Sequence, residues 1–170
     1  MYKSIAFFFV VISFSSCISE PLNYSDELIE FNLPAGWKLK DVDSPTNEVT
    51  IYTINTGRFS NDGLISISVY ENLIDHNYLV NFNRKVLKET NFNVFSVKAD
   101  FEENKEDTFG TYNSIFTEYK MKTLGMKFKG QIHSFSGDER TALIIFQDLK
   151  GKKDVYEKSI ESLKSSFKFN

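Results

Sequence analysis

Residues 112–135 read YNSIFTEYKMKTLGMKFKGQIHSF. Two strand-like runs, 112–122 and 126–135, flank the three-residue link Thr123-Leu124-Gly125. So short a link joins neighbours only as a hairpin, and the runs predict a long antiparallel pair. A third strand, 142–147, follows the turn residues Ser136-Gly137-Asp138-Glu139.

The chain upstream repeats this grammar. Residues 64–70, LISISVY, alternate with Ile65, Ile67 and Val69 on one side and Ser66 and Ser68 on the other. Residues 49–54 form a strand with Val49, Ile51 and Thr53 on one face. The stretch 55–63, NTGRFSNDG, is a hairpin-type connection, and 41–48, DVDSPTNE, reads as a loop by composition. In LIEFNLPAGW, residues 28–33 alternate as a strand, Pro34 stops it, Ala35-Gly36 turns the chain and Trp37 lands just past the turn. Residues 92–101 alternate again, with Phe95, Val97, Ala99 and Phe101 on one side. Residues 102–107, EENKED, read as a charged hairpin loop.

Two segments change period. Leu79, Phe82, Val86 and Leu87 recur at i, i+3, i+7 and i+8, which is one helical face. Asp75 suits the N-cap, and the helix is expected to end near Thr90-Asn91. Tyr156, Ile160, Leu163 and Phe167 predict a second helix over about 154–164, packed on the sheet. The order is strands, helix, four strands, helix. It predicts an α+β class with a single, mostly antiparallel sheet flanked by helices.

This order resembles the PsbP-like superfamily. Phe31-Asn32-Leu33-Pro34-Ala35-Gly36-Trp37 is similar to the family's opening motif, apolar-x-apolar-Pro-x-Gly-Trp. Gly110 and Tyr112 before the long strand pair, and the ending Ile160 to Lys168, add to it. The span is 28–169. The resemblance implies an antiparallel sheet with helices on both faces, an α/β/α sandwich. It implies no shared activity, since one fold serves many functions. The metal and docking residues of PsbP match no positions here.

The N-terminus speaks of address. Lys3 precedes the uncharged apolar run 5–12, about half the ~20 residues that span a bilayer as a helix. These features describe a secretory signal peptide. Phe14-Ser15-Ser16-Cys17 resembles the lipobox of bacterial lipoproteins, departing at Phe14 where leucine is commoner. The resemblance implies cleavage before Cys17 and diacylglycerol on its sulfur. Cys17 is the only cysteine in the chain, so no intrachain disulfide forms. Ile18 stands where an aspartate would favour inner-membrane retention, which favours the outer membrane. The expected organisation is a signal peptide at 1–16, a tether at 17–27 and a PsbP-like domain at 28–170.

Composition narrows the function. The net charge is −3, and basic residues appear interspersed with acidic ones. With no basic stripe evident, nucleic-acid binding is disfavoured. Only two histidines occur, His76 at a helix start and His133 in a strand, both expected at surface or hairpin positions. No His/Cys spacing suits a metal, and no nucleophile elbow or phosphate loop is present. The acidic cluster Glu102, Glu103, Glu106 and Asp107 lacks the order of a calcium loop and reads as solvated. No cofactor or catalytic residue is expected. The chain thus reads as a non-enzymatic, membrane-anchored envelope lipoprotein that binds an envelope protein or another envelope component. The alternative is a small-molecule or carbohydrate binder using a cleft near Trp37, with Trp37 otherwise closing the core. An envelope hydrolase ranks third.

Overall fold

The computed structural model describes residues 21–56, 63–89, 98–123, 125–149 and 153–170. The leader 1–16, Cys17, the connection 57–62, and Phe95 and Val97 lie outside the described residues, as do Thr90 and Asn91.

The described residues build eleven strands and two helices: β1 (Leu22–Ser25), β2 (Ile29–Leu33), β3 (Trp37–Thr46), β4 (Val49–Thr56), β5 (Gly63–Tyr70), α1 (His76–Glu89), β6 (Lys98–Phe101), β7 (Lys105–Phe109), β8 (Tyr112–Thr123), β9 (Met126–Ser136), β10 (Thr141–Leu149), α2 (Lys153–Ser166) and β11 (Lys168–Phe169). The predicted hairpin is β8–β9, in continuous register from Ser114 opposite Phe135 to Thr123 opposite Met126. It lies within an antiparallel sheet ordered β3-β4-β5-β10-β9-β8-β6, with β7 also on β8. β7 covers the first half of β8's outer edge and β6 the second half.

The sheet is not single. β1, β2 and β11 form a separate three-stranded sheet. It packs with α2 on one face of the main sheet. There Ile29, Phe31 and Leu33 join Ile65, Ile67, Val69, Phe135, Ile144, Phe146, Ile160 and Leu163 in the larger core. On β4 the core face is Tyr52 and Ile54, so Val49, Ile51 and Thr53 share the opposite face. Alternation on β9 and β10 sends Ile132 and Leu143 to that other face, where they meet Leu79 and Val80 of α1. Helices therefore cover both faces.

Three segments differ from the sequence reading. Residues 22–25, inside the predicted tether, are β1, paired antiparallel with β2. Asp26 fixes them: its carboxylate accepts from the Tyr24 and Tyr52 hydroxyls at 2.9 and 2.7 Å and from the Leu28 and Ile29 amides at 2.8 and 2.9 Å. Residues 22–25 thus belong to the folded domain and not to a tether. The supposed loop 41–48 lies mostly in β3, which runs through Pro45 with two register irregularities. An edge strand tolerates proline and charge because one side of its ladder is unpaired. The supposed loop 102–107 shortens to three residues, since Lys105–Phe109 is β7.

In α1, Asp75 is the N-cap, its Oδ1 accepting from the Tyr78 amide at 2.7 Å. The buried face is rotated from the predicted one: Leu79 and Val80 are buried and Leu87 packs beside them, but Phe82 and Val86 are exposed. Arg84 explains the rotation. Its guanidinium donates to the Asn104 side chain and lies 5.3 Å from the centre of the Phe101 ring. A long cationic side chain thereby covers apolar surface that a count of apolar residues assigns to Phe82.

Candidate functional site

Trp37 is reached by the turn 34–36, in which Gly36 has φ 98°, a left-handed conformation that favours glycine. The indole opens β3 and is only 4% exposed, within the larger core. Its ring lies against Gly63, where an added Cβ would stand 3.0 Å from Cη2. Both faces of the ring are therefore committed to packing. Its Nε1 is buried and has no hydrogen-bond partner among the described residues.

An open concavity among the described residues lies elsewhere. It is a cleft of about 190 Å³ between α2 and the β7–β8–β9 end of the main sheet. Phe116, Gln131 and Ile160 form its floor and wall, and Asp107, Glu118, Glu157, Glu161 and Lys164 supply its charge. The strand pairing brings these residues together. Glu118 faces Gln131 in register, and Phe116 faces His133. Lys164 donates to Asp107 at 2.5 Å, tying α2 to β7. Burial raises the Asp107 carboxyl, but the hydrogen bond from Lys164, the Thr108 amide and the Lys164 charge outweigh it and hold the group below the usual aspartate range. Gln131 Nε2 donates to Glu118 at 3.0 Å.

His133 lies beneath this cleft, not at the surface. It is 1% exposed and stacked on Phe116, with ring centroids 5.1 Å apart. Gln131 Oε1 lies 3.1 Å from His133 Nε2. An amide oxygen only accepts, so Nε2 carries the proton and donates. Nδ1 is then a buried acceptor with no hydrogen-bond partner among the described residues. Burial, reinforced by the Lys164 charge and opposed by Asp107, brings the imidazole down to about 3. It stays neutral at physiological pH. His76 sits at the start of α1 with Nδ1 3.1 Å from Ser134 Oγ.

The acidic cluster does not converge. Glu102 pairs with Lys105 at 2.8 Å, while Asp107 turns to Lys164. Among the described residues no group of three His, Cys, Asp or Glu side chains is placed to hold a metal ion. None of their helices is long and apolar enough to cross a membrane. Sequence reasoning missed the cleft because its residues come from four separate elements.

The architecture matches solved structures. Cyanobacterial PsbP (CyanoP) from Synechocystis sp. PCC 6803 superimposes with a TM-score of 0.65 at 14% identity, covering 92% of this chain and 96% of that one. The fold is PsbP-like. LpqN, involved in cell envelope biogenesis of Mycobacterium tuberculosis, gives 0.55 at 12% identity over 88% of this chain and 89% of its own. A protein from Bacteroides thetaiotaomicron gives 0.53 at 13% identity over 84% of this chain and 45% of its own. No family model and no curated protein matches the sequence. Likeness at such low identity establishes the PsbP-like fold and leaves function to the residues.

Proposed function

We propose that this chain is a lipid-anchored protein of the bacterial cell envelope, its PsbP-like domain a non-enzymatic module that docks an envelope protein. The apolar leader ending at Cys17 supports the address, as does LpqN's involvement in envelope biogenesis. The observation that carries the docking role is on α1. Tyr78, Phe82 and Val86, spaced i, i+4 and i+8, are 62%, 51% and 43% exposed. The Tyr78 and Phe82 rings stack in solvent with centroids 6.1 Å apart. Large apolar side chains in one exposed helical row mark a protein-binding face. The carbohydrate-binding alternative has less support, because a stacking ring needs an open face and Trp37 is in the core. The proposal includes neither a cofactor nor a nucleic acid.

A photo-crosslinking residue at position 82 of the tethered protein tests this in cells. A discrete crosslinked species is expected, lost when Tyr78→Ser and Val86→Ser are added. Those two changes are expected to leave the melting temperature nearly unchanged, since exposed positions shift stability by only about 0.5 kcal/mol. No discrete species, or one indifferent to these substitutions, would overturn the docking role.

A further inference from the structure

The lysines interspersed along the sequence are not interspersed in space. In β8 and β9 they fall at Lys120, Lys122, Lys127 and Lys129, every second residue on either side of the turn. Cross-strand register sets Lys122 opposite Lys127 and Lys120 opposite Lys129. On β6, Lys98 stands opposite Lys122 and Asp100 opposite Lys120. Side chains directly opposite share a face, so one row reads Lys98, Lys122, Lys127. The next reads Asp100, Lys120, Lys129, with Asp148 of β10 opposite Lys129. All five lysines are exposed, and none is in an ion pair among the described residues. In these two rows five cations stand against two carboxylates, in a chain whose net charge is −3. Glu118, the next residue on this face of β8, and Glu102, whose carboxyl feels the Lys120 charge, border them on the side away from the turn. Like charges directly opposite each other on neighbouring strands destabilise a sheet. An anionic partner would relieve that repulsion.

Topology says which partner. Trp37 lies opposite Thr56, and Gly63 opposite Asp148, so the start of β3 and the β8–β9 turn are at the same end of the main sheet. Leu22 lies opposite Leu33, one tight turn before Trp37. The N-terminal segment therefore enters the domain at the lysine-bearing end. Only five residue steps separate Leu22 from Cys17, a reach of at most about 18 Å. So short a link lets the domain approach the surface to within a Debye length, about 8 Å at physiological salt. Met126, 40% exposed, stands at the tip of the same hairpin.

We propose that this end of the sheet rests on a bilayer surface bearing anionic headgroups, held there by the lipid on Cys17. The inference rests on the reading of Cys17 as acylated. The lysine rows supply the second attraction that an acyl anchor uses to fix a protein against a membrane. They also orient the domain, pointing the β3–β4 turn at the far end of the sheet away from the bilayer.

The mature chain from residue 17, with Cys17→Ser to remove the acceptor, is titrated with phosphatidylcholine vesicles with and without phosphatidylglycerol. Binding is expected only to the anionic vesicles and is expected to fall as salt rises. Each lysine near such a surface is worth about fivefold. Changing Lys120, Lys122, Lys127 and Lys129 together to Gln should therefore weaken binding by at least about 25-fold. The Lys122→Gln, Lys127→Gln pair serves if the quadruple variant does not fold. Equal binding to both vesicle types, or binding indifferent to these substitutions, overturns the proposal. So does tighter binding of a single-stranded oligonucleotide than of anionic vesicles at the same salt, which would make the face a general polyanion site. Fatty-acid labelling of the parent separates the two failures. An unlabelled Cys17 overturns the anchor and this inference with it. A labelled Cys17 with charge-indifferent vesicle binding overturns this inference alone.

Discussion

Position 37 shows how a single side chain separates structure from ligand binding. Trp37 is buried against Gly63 and belongs to the larger core, so Trp37→Ala removes burial and leaves a cavity at a cost of about 3–5 kcal/mol. Trp37→Phe keeps most of the apolar area and is expected to lose much less. Urea midpoints of the two variants check this; an unchanged midpoint for Trp37→Ala would return the indole to the list of ligand contacts. His133 makes a pH prediction. Its imidazole falls from an ordinary 6.5 to about 3 in the fold. Between these values the unfolded chain binds a proton that the folded chain excludes. Stability is therefore full above about pH 6.5 and declines as pH falls toward 3, by up to about 1.4 kcal/mol per unit. His76, lowered by burial against the opposing Asp75, acts in the same direction. Asp26 and Asp107, both held below 3.8, add their losses only in more acid solution. Urea melts at pH 7 and pH 5 should show the decline. His133→Leu should abolish all of it but the His76 share. An equal decline in His133→Leu would place the titration elsewhere.

Among the elements, the β8–β9 hairpin was the most legible, because two long runs and a three-residue link admit one arrangement. Its tightest point, Gly130, was not legible. A Cβ there would overlap the Tyr119 ring and the Phe146 carbonyl. Gly130→Ala is expected to destabilise by about 1–3 kcal/mol or more through overpacking, read as a fall in urea midpoint; a neutral result would mean that the Tyr119 ring moves aside freely. β3 and β7 were hidden for a shared reason. They lie at the margins of the main sheet, where proline, aspartate and lysine are tolerated, so composition alone reads them as loops. β1 was hidden because two apolar residues, Leu22 and Tyr24, are too few to show a period, and its anchoring depends on Tyr52, distant in sequence. The face of α1 was misjudged because the Arg84 guanidinium, over the Phe101 ring, does the covering that apolar counting gave to Phe82. The lysine rows were written in the two-residue spacing of 120–129, but a whole-chain charge averages them away.

For the whole molecule, the mostly antiparallel α+β class followed from alternation and from the two helical periods, and helices on both faces from the PsbP-like resemblance, with which the matches agree. The pairing of β5 with β10 and the separate three-stranded sheet did not follow. The cleft beside α2 did not follow, since β7, β8, β9 and α2 meet there only through long-range packing. Three proposed features share one chain: acylation of Cys17, a lysine-bearing end set toward the bilayer, and the α1 row set toward a protein partner. All three depend on where the chain is held. Metabolic labelling with an alkynyl fatty acid, comparing the parent with Cys17→Ser, tests this most directly. The parent is expected to carry label and to fractionate with membranes, and Cys17→Ser to carry none and to retain its signal peptide. Equal labelling of the two proteins, or an unlabelled parent, would contradict the account.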